Sequence, residues 1–430
     1  MVSKKEIISI LKKDIAPAQG CTEPVAIALA TAYATSVLTE KINKIEVYLS
    51  QNILKNAMGV GIPGTNERGI KMAVALGAVA GLPELQLEVL QHVDEDNVKD
   101  AQVMIDQGMI EIKLSQNDEL FWIEVIGYSD NHQATAIMQG KHTNLYKLII
   151  DDMILQENDR IEALTKSDDI RQVMQVSDIV NAIMTATEDE LESLDEVIAK
   201  NFEIAKFGME NNSGYGIAKS IQDNINNGLF GDGIVNYATM LTVAGSEARM
   251  SGCSLPAMAN SGSGNQGITL TVPIVALSER LNSSRFELLQ AVAISHLTSI
   301  HVKSYFGILS ALCGIVNASI GISAGAVFLL GGKLKNIEAA IQNVIGDIAG
   351  MICDGAKLGC SLKVATGVRS ALNSAILGMS NICVNDYEGI NGADVEDSFK
   401  NLGFLVLGGM KEVDKSILKV MLEKENRNKK

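Results

Sequence analysis

Residues Phe121-Trp122-Ile123-Glu124-Val125-Ile126-Gly127-Tyr128 read with period two, Phe121, Ile123 and Val125 on one face and Glu124 and Tyr128 on the other. That is the period of a strand with one face on a core and the other toward water. The same period recurs at 44–50, 85–93, 101–104, 109–113 and 133–138, which predicts a small antiparallel sheet with one or two intervening helices. Past about residue 149 the pattern largely stops. A polar stretch at 155–170 reads as a linker into helices at 171–188 and 190–207, a break at 211–216, and further helices to about Arg249. The fold class expected is α+β, a mostly helical domain with an inserted small mixed α/β sheet domain. Residues 1–43 are expected to belong with the helical part, 44–150 to form the sheet domain and 151–430 the main helical domain.

Upstream of the sheet, residues 1–14 read as a short amphipathic helix. Ala18-Gln19-Gly20-Cys21-Thr22-Glu23-Pro24 then leads into an Ala-rich run at 25–37. Pro24 suits a first helical turn, Thr22 or Cys21 is available as cap, and Glu23 complements the positive end of the dipole. Cys21 therefore sits at a helix N-terminus, where free amides favour the thiolate, and is the best candidate for a reactive cysteine. A buried cap is the structural alternative. Residues 52–66 form a glycine-rich loop before a helix at about 69–80. The loop lacks the G-K-[ST] of a nucleotide P-loop, and a small carboxylate suits its backbone amides better than ATP does. Its candidate contacts are Asn56, Met58, Gly64 and Thr65, and plain turn geometry explains the glycines equally well.

A second such stretch runs from Ser251 to Gly267, with four small hydroxyls, three side-chain amides and no charge. Ser261, Gly262, Ser263, Gly264, Asn265 and Gln266 make a neutral cradle ahead of a helix, able to hold a carboxylate without a strong ion pair. A structural loop is the alternative. His132 and His142 flank the last strand and rank low, as lone histidines usually do.

A chain of 430 residues with 47% hydrophobic and 20% charged side chains has globular composition. Its net charge of -15 argues against a nucleic-acid partner. Six cysteines without a disulfide-like spacing, and no secretory signal, point to a reducing cytoplasm. Residues 304–332 carry no charge and imitate a membrane span in length. Their serines, asparagine and glycines read instead as two tightly packed helices buried in the helical domain, so no membrane association is expected.

Of the other five cysteines, three lie among small residues and glycines in the last third of the chain, Cys313 on one segment and Cys353 and Cys360 on another. Gly355 and Gly359 would let the backbone bend so that Cys353 and Cys360 face one point. A zinc site would more commonly show a tight C-x-x-C pair, which is absent. An iron-sulfur cluster normally takes four thiolates, so three would leave one iron open as a Lewis acid.

Taken together, the run 18–24, the loop 55–65, Asn260-Ser261-Gly262-Ser263-Gly264-Asn265-Gln266-Gly267, Leu309-Ser310-Ala311-Leu312-Cys313, and Gly350 to Cys360 resemble the iron-sulfur L-cysteine desulfidases. That family is related to the alpha chain of the oxygen-sensitive bacterial L-serine dehydratases, and the likeness spans nearly the whole chain. It implies a 4Fe-4S cluster on Cys313, Cys353 and Cys360 with one open iron, and Cys21 as the residue that removes the α proton. The helical domain would then be catalytic and cluster-binding. Expected activity is β-elimination of sulfide from L-cysteine, without pyridoxal phosphate, to give pyruvate, ammonia and hydrogen sulfide. An L-serine dehydratase is the alternative within the class, and a non-enzymatic cluster carrier or redox sensor the alternative outside it. The expected partner is a small amino acid, L-cysteine or L-serine, with a homodimer left open; Cys253 and Cys383 match no ligand position.

Overall fold

The computed structural model describes residues 2–65, 67–117, 119–161, 169–307 and 309–428. Eight strands are numbered here in chain order: β1 Ile15–Gln19, β2 Lys44–Leu49, β3 Ile110–Leu114, β4 Trp122–Tyr128, β5 Gln133–Gln139, β6 Leu145–Ile150, β7 Met153–Glu157 and β8 Pro256–Asn260. Six of them form one sheet in the order β3-β2-β4-β5-β6-β7. The alternation in β4 is read out directly: Ile123, Val125 and Gly127 are buried while Trp122, Glu124, Ile126 and Tyr128 are half-buried. Val125 stands opposite Val47 on one side and Ala136 on the other, so register and core face agree.

Two helices cover the buried face, Thr22–Ser36 and Ile70–Ala80. They are rich in alanine, which lets them approach each other closely; Gly77 lies against the backbone of Ala28. The outer face carries a polar net in which Glu46 pairs with Lys44 and Lys113.

The rest of the protein is helical and is built around Gly314–Leu329. Four helices pack on it, Gly264–Leu281, Arg285–Lys303, Leu334–Ile348 and Cys360–Met379. Its small residues explain why: at Gly321 and Gly325 the backbones of Ser295 and Ala291 come too close to admit a larger side chain. The apolar residues accordingly form two main cores, one helical and one under the sheet. Lys4–Asp14 joins the helical core, whereas Thr22–Ser36 joins the sheet core, as do Leu418 and Leu422 from the last helix, Lys411–Asn428.

The fold is α+β as expected, and several local expectations are corrected. Residues 101–104 are not a strand but part of the helix Glu95–Asp106, started by Asp94, whose carboxylate accepts from the Asp96 and Asn97 amides at 3.0 and 2.9 Å. Residues 85–93 are not a strand either, and begin within a short 3-10 turn, Pro83–Glu88. The sheet is not wholly antiparallel, since β2 and β3 run parallel. The strand pattern continues into β6 and β7, which overlaps the expected linker; its residues 162–168 lie outside those described. Residues 51–57 are a helix rather than loop, and 304–332 supply one helix rather than two. The last helix runs to Asn428, and 429 and 430 lie outside those described. Among the described residues no helix is long and apolar enough to cross a membrane.

Candidate active site

A two-stranded ribbon assembles the site. β1 pairs antiparallel with β8, Ile15 opposite Asn260 and Gln19 opposite Pro256, and so brings residues 20–24 to the turn at 261–264. The Thr22 hydroxyl donates to the Gly262 carbonyl at 3.0 Å. Gly20, at φ 64°, turns the chain sharply against Pro63, a conformation that suits glycine.

Cys21 is the residue immediately before the helix Thr22–Ser36 and is buried. Its Sγ donates to Glu23 Oε2 at 3.3 Å, while Asn56 Nδ2 donates to Glu23 Oε1 at 3.0 Å. The expectation of a dipole-stabilised thiolate is corrected here. Burial drives the Cys21 thiol well above its ordinary range and the Glu23 charge pushes the same way, with Arg249 opposing. Desolvation outweighs the helix end. Burial also works to raise Glu23, but His142 and hydrogen bonds from its own backbone, Cys21 and Asn56 outweigh it, and the carboxyl is held below its usual value. The pair is therefore a neutral thiol on a carboxylate.

The cradle at 261–266 lies beside this pair, and it is not neutral. Arg249 Nη2 donates to the Gly20 carbonyl at 2.5 Å and Nη1 to Asn265 Oδ1 at 3.2 Å, with the guanidinium packed against Gly264. Lys303 Nζ donates to the Ser261 carbonyl at 3.2 Å and to Gln266 Oε1 at 3.4 Å. Burial lowers the Lys303 ammonium to about 8. Ser263 caps the following helix through the Gln266 amide at 3.4 Å. Beneath the cradle, Gln266 Nε2 donates to Asn260 Oδ1 at 3.0 Å and Ser299 Oγ at 2.9 Å. His142 reaches in from the loop after β5, with its ring 3.4 Å from a Cβ position on Gly262 and edge-on to Phe121.

The three cysteines of the helical part come together with this corner. Leu312 and Ile352 form a β-bridge, flanked by the Cys313 amide donating to Met351 O at 2.9 Å and the Cys353 amide to Ala311 O at 2.7 Å. Cys360 opens the helix Cys360–Met379, and Gly355 makes the turn before it at φ 89°, packed against the Lys55 carbonyl. Gly359 has ordinary helical geometry and supplies no special bend. Burial pushes Cys313 up to about 12, with the Cys353 charge adding to it, and burial likewise raises Cys360. Cys21 and Cys360 share an apolar cluster with Val60, Met250 and Leu358. Gln266 Oε1 is 3.0 Å from a Cβ position on Gly314, next to Cys313, which joins the cradle to the thiols.

Not every expected contact is there. Asn56 is in the site, and Met58 ends its helix nearby. Gly64 and Thr65 instead brace the loop: the Gly64 amide donates to Gly252 O at 3.1 Å and the Thr65 hydroxyl to Ile62 O at 3.0 Å. His132 is on the surface, bonded to Asp151 at 2.8 Å. Cys253 accepts from the Leu255 amide and Cys383 is exposed.

A model of the serine dehydratase alpha chain family matches residues 84–419. The chain belongs to that family. The chain is also similar to a UPF0597 protein of Alkaliphilus oremlandii, 41% identical over 98% of this chain and 99% of its own length. A UPF0597 protein of Bacteroides fragilis is 40% identical over 98% of both, and one of Clostridium perfringens 37% identical over 98% and 99%.

The residues fit the iron-sulfur group that membership in the serine dehydratase alpha chain family implies. Burial raises Cys313 and Cys360, and the Cys353 charge adds to both, so a compact polycation is what would let these neighbouring sulfurs become thiolates together. Buried polar atoms without partners also gather here, namely Asn56 Oδ1, His142 Nε2 and Arg249 Nε. Among the described residues no three His, Cys, Asp or Glu side chains close around a single metal ion. A cluster asks for a wider gap than one ion, because each thiolate binds a separate iron.

Sequence reasoning missed Lys303, Arg249 and the acceptor role of Glu23. For Lys303 a signal existed: it is the only Asp, Glu, Lys or Arg between Glu287 and Lys333. A lone charge in so apolar a run is seldom buried without a partner.

Proposed function

We propose that this chain is an iron-sulfur lyase that eliminates the β-substituent of a small L-amino acid, with L-cysteine as the substrate of choice. The observation that carries the reading is the gathering of Cys313, Cys353 and Cys360 beside the buried Cys21–Glu23 pair and the cradle at 261–266. In this reading residues 44–150 form the sheet unit that contributes Asn56, Met58 and His142, and residues 151–430 contribute the thiols and the cradle.

Cys313, Cys353 and Cys360 would hold a 4Fe-4S cluster, which supplies when bound a thiophilic Lewis acid with one open iron for the departing sulfur. The chain's own residues do the rest. At rest the proton stays on Cys21; as substrate enters, Glu23 would accept it across their 3.3 Å contact and the thiolate so formed would remove the substrate α proton. Asn56 keeps Glu23 oriented through its other oxygen. The amides and hydroxyls of Ser261, Ser263, Asn265 and Gln266 orient the amino acid, and the burial of the corner keeps bulk water from competing. Loss of sulfide leaves an aminoacrylate that hydrolyses to pyruvate and ammonia.

L-Serine is the second substrate reading, favoured by the name of the matching family model. The test is anaerobic reconstitution with iron and sulfide, an absorption spectrum with iron and sulfide counts, then pyruvate and sulfide assays on both amino acids. A loaded protein inert toward both would defeat the proposal. Cys21→Ala that keeps the cluster and loses turnover would support it over a non-enzymatic carrier.

A further inference from the structure

Lys303 ends the helix Arg285–Lys303 and is only 8% exposed. An ammonium has three N–H donors and no acceptor. The acceptors its Nζ reaches are Ser261 O and Gln266 Oε1, at 3.2 and 3.4 Å, both neutral and both long. Among the described residues no carboxylate forms an ion pair with it; Glu23, whose charge acts on it most, is already engaged by Cys21 and Asn56. Leaving a buried charge unpaired costs several kcal/mol, so an anion that completes the pair is the expected partner.

The ammonium is also aimed. Gln266 is fixed at its other end by Asn260 and Ser299, and its Oε1 faces the start of the helix that follows Cys313. Lys303 thus stands between the cradle and the thiols, with both of its contacts on the cradle.

We infer that Lys303 is the counter-charge of the substrate's α-carboxylate and so the residue that selects amino acids over their uncharged analogues. The identity of the ligand as an amino acid rests on the lyase reading above; the need for an anion does not. The competing role is a counter-charge for the iron-sulfur group, which carries net negative charge with three thiolates.

L-Alanine separates the two, because it has the carboxylate but no leaving group, and L-alaninamide removes the charge alone. Calorimetry on the anaerobically reconstituted protein should show L-alanine bound about 30-fold or more tightly than L-alaninamide. Lys303→Met should abolish that preference and Lys303→Arg keep part of it. Lys303→Gln serves if the Met variant fails to fold, as judged by circular dichroism and cluster absorption. Wild-type protein without the preference, or a Met or Gln variant that retains it while its reduction potential moves, overturns the assignment. Turnover of L-cysteine or L-serine is measured separately, so failure of the lyase reading registers in that assay and not in this one.

Discussion

His296 lies on the inner face of Arg285–Lys303 with no exposed surface. Its Nδ1 faces Asn260 Nδ2 at 3.1 Å and its Nε2 faces Thr271 Oγ1 at 3.0 Å. Gln266 Nε2 and Ser261 Oγ both donate to Asn260 Oδ1, which turns the NH2 of Asn260 toward the ring and makes Nδ1 an acceptor. A second ring proton would therefore meet a donor in a buried site. Burial pushes the imidazole from 6.5 down to about 3. Because the folded value is the lower one, the unfolded chain takes up the proton first as pH falls. The stabilisation is complete above the ordinary value of 6.5 and is lost through the window from 6.5 to about 3. Each pH unit in that window is worth ~1.4 kcal/mol, so at about pH 5 His296 alone removes about 2 kcal/mol. His142, also lowered by burial, acts in the same direction. His296→Gln should be less stable than wild type at about pH 7, by about 1–3 kcal/mol for the broken network. It should then lose about 2 kcal/mol less than wild type on going to about pH 5. Urea unfolding followed by circular dichroism at the two pH values measures both quantities. Equal acid losses in the two proteins would refute the reasoning.

Glu23→Gln keeps the shape of the site but removes the acceptor for the Cys21 proton, so kcat of the reconstituted enzyme should fall about 100- to 10,000-fold with KM little changed; retention of full kcat would exclude Glu23 from proton transfer. Glu247 is buried and accepts from the Tyr215, Ile217 and Ala218 amides at 2.9, 3.0 and 3.0 Å, holding the start of Ile217–Asn226. Glu247→Ala should lower stability by about 2–4 kcal/mol in denaturant unfolding, because three amides lose their acceptor. Gly355→Ala forces a Cβ onto the Lys55 carbonyl at φ 89°. It should cost about 1–3 kcal/mol and lower the iron retained per chain, read by iron counts after gel filtration.

Much of the architecture was legible because it depends on local periodicity. The alternation at 121–128 and 133–138 specified neighbouring strands, and the uncharged, small-residue run 304–332 specified buried helix, though it holds one helix where two were expected. The misreadings have physical causes. Four residues at 101–104 are too few to tell strand from helix, and the Asp94–Asn97 cap that decides the matter precedes them. β1 and β8 are five residues each and exist only because they pair across the chain. The same holds at the site. The candidate thiols and the Ser/Gly/Asn stretch were visible as composition, whereas the protonation of Cys21 depends on burial and on Glu23, which no spacing reveals. The charge of the cradle comes from Arg249 and Lys303, which join it only through packing of separate helices.

The ribbon of residues 15–19 with 256–260 also sets a timetable for biogenesis. During synthesis the sheet can complete while the corner holding Cys21 waits for a partner more than half the chain away, and such distant pairings form slowly. Cys313, Cys353 and Cys360 emerge later still. Metal loading would therefore follow the closure of the whole polypeptide, and a nascent chain stalled before β8 would expose the Cys21 helix without the surroundings that keep its thiol quiet.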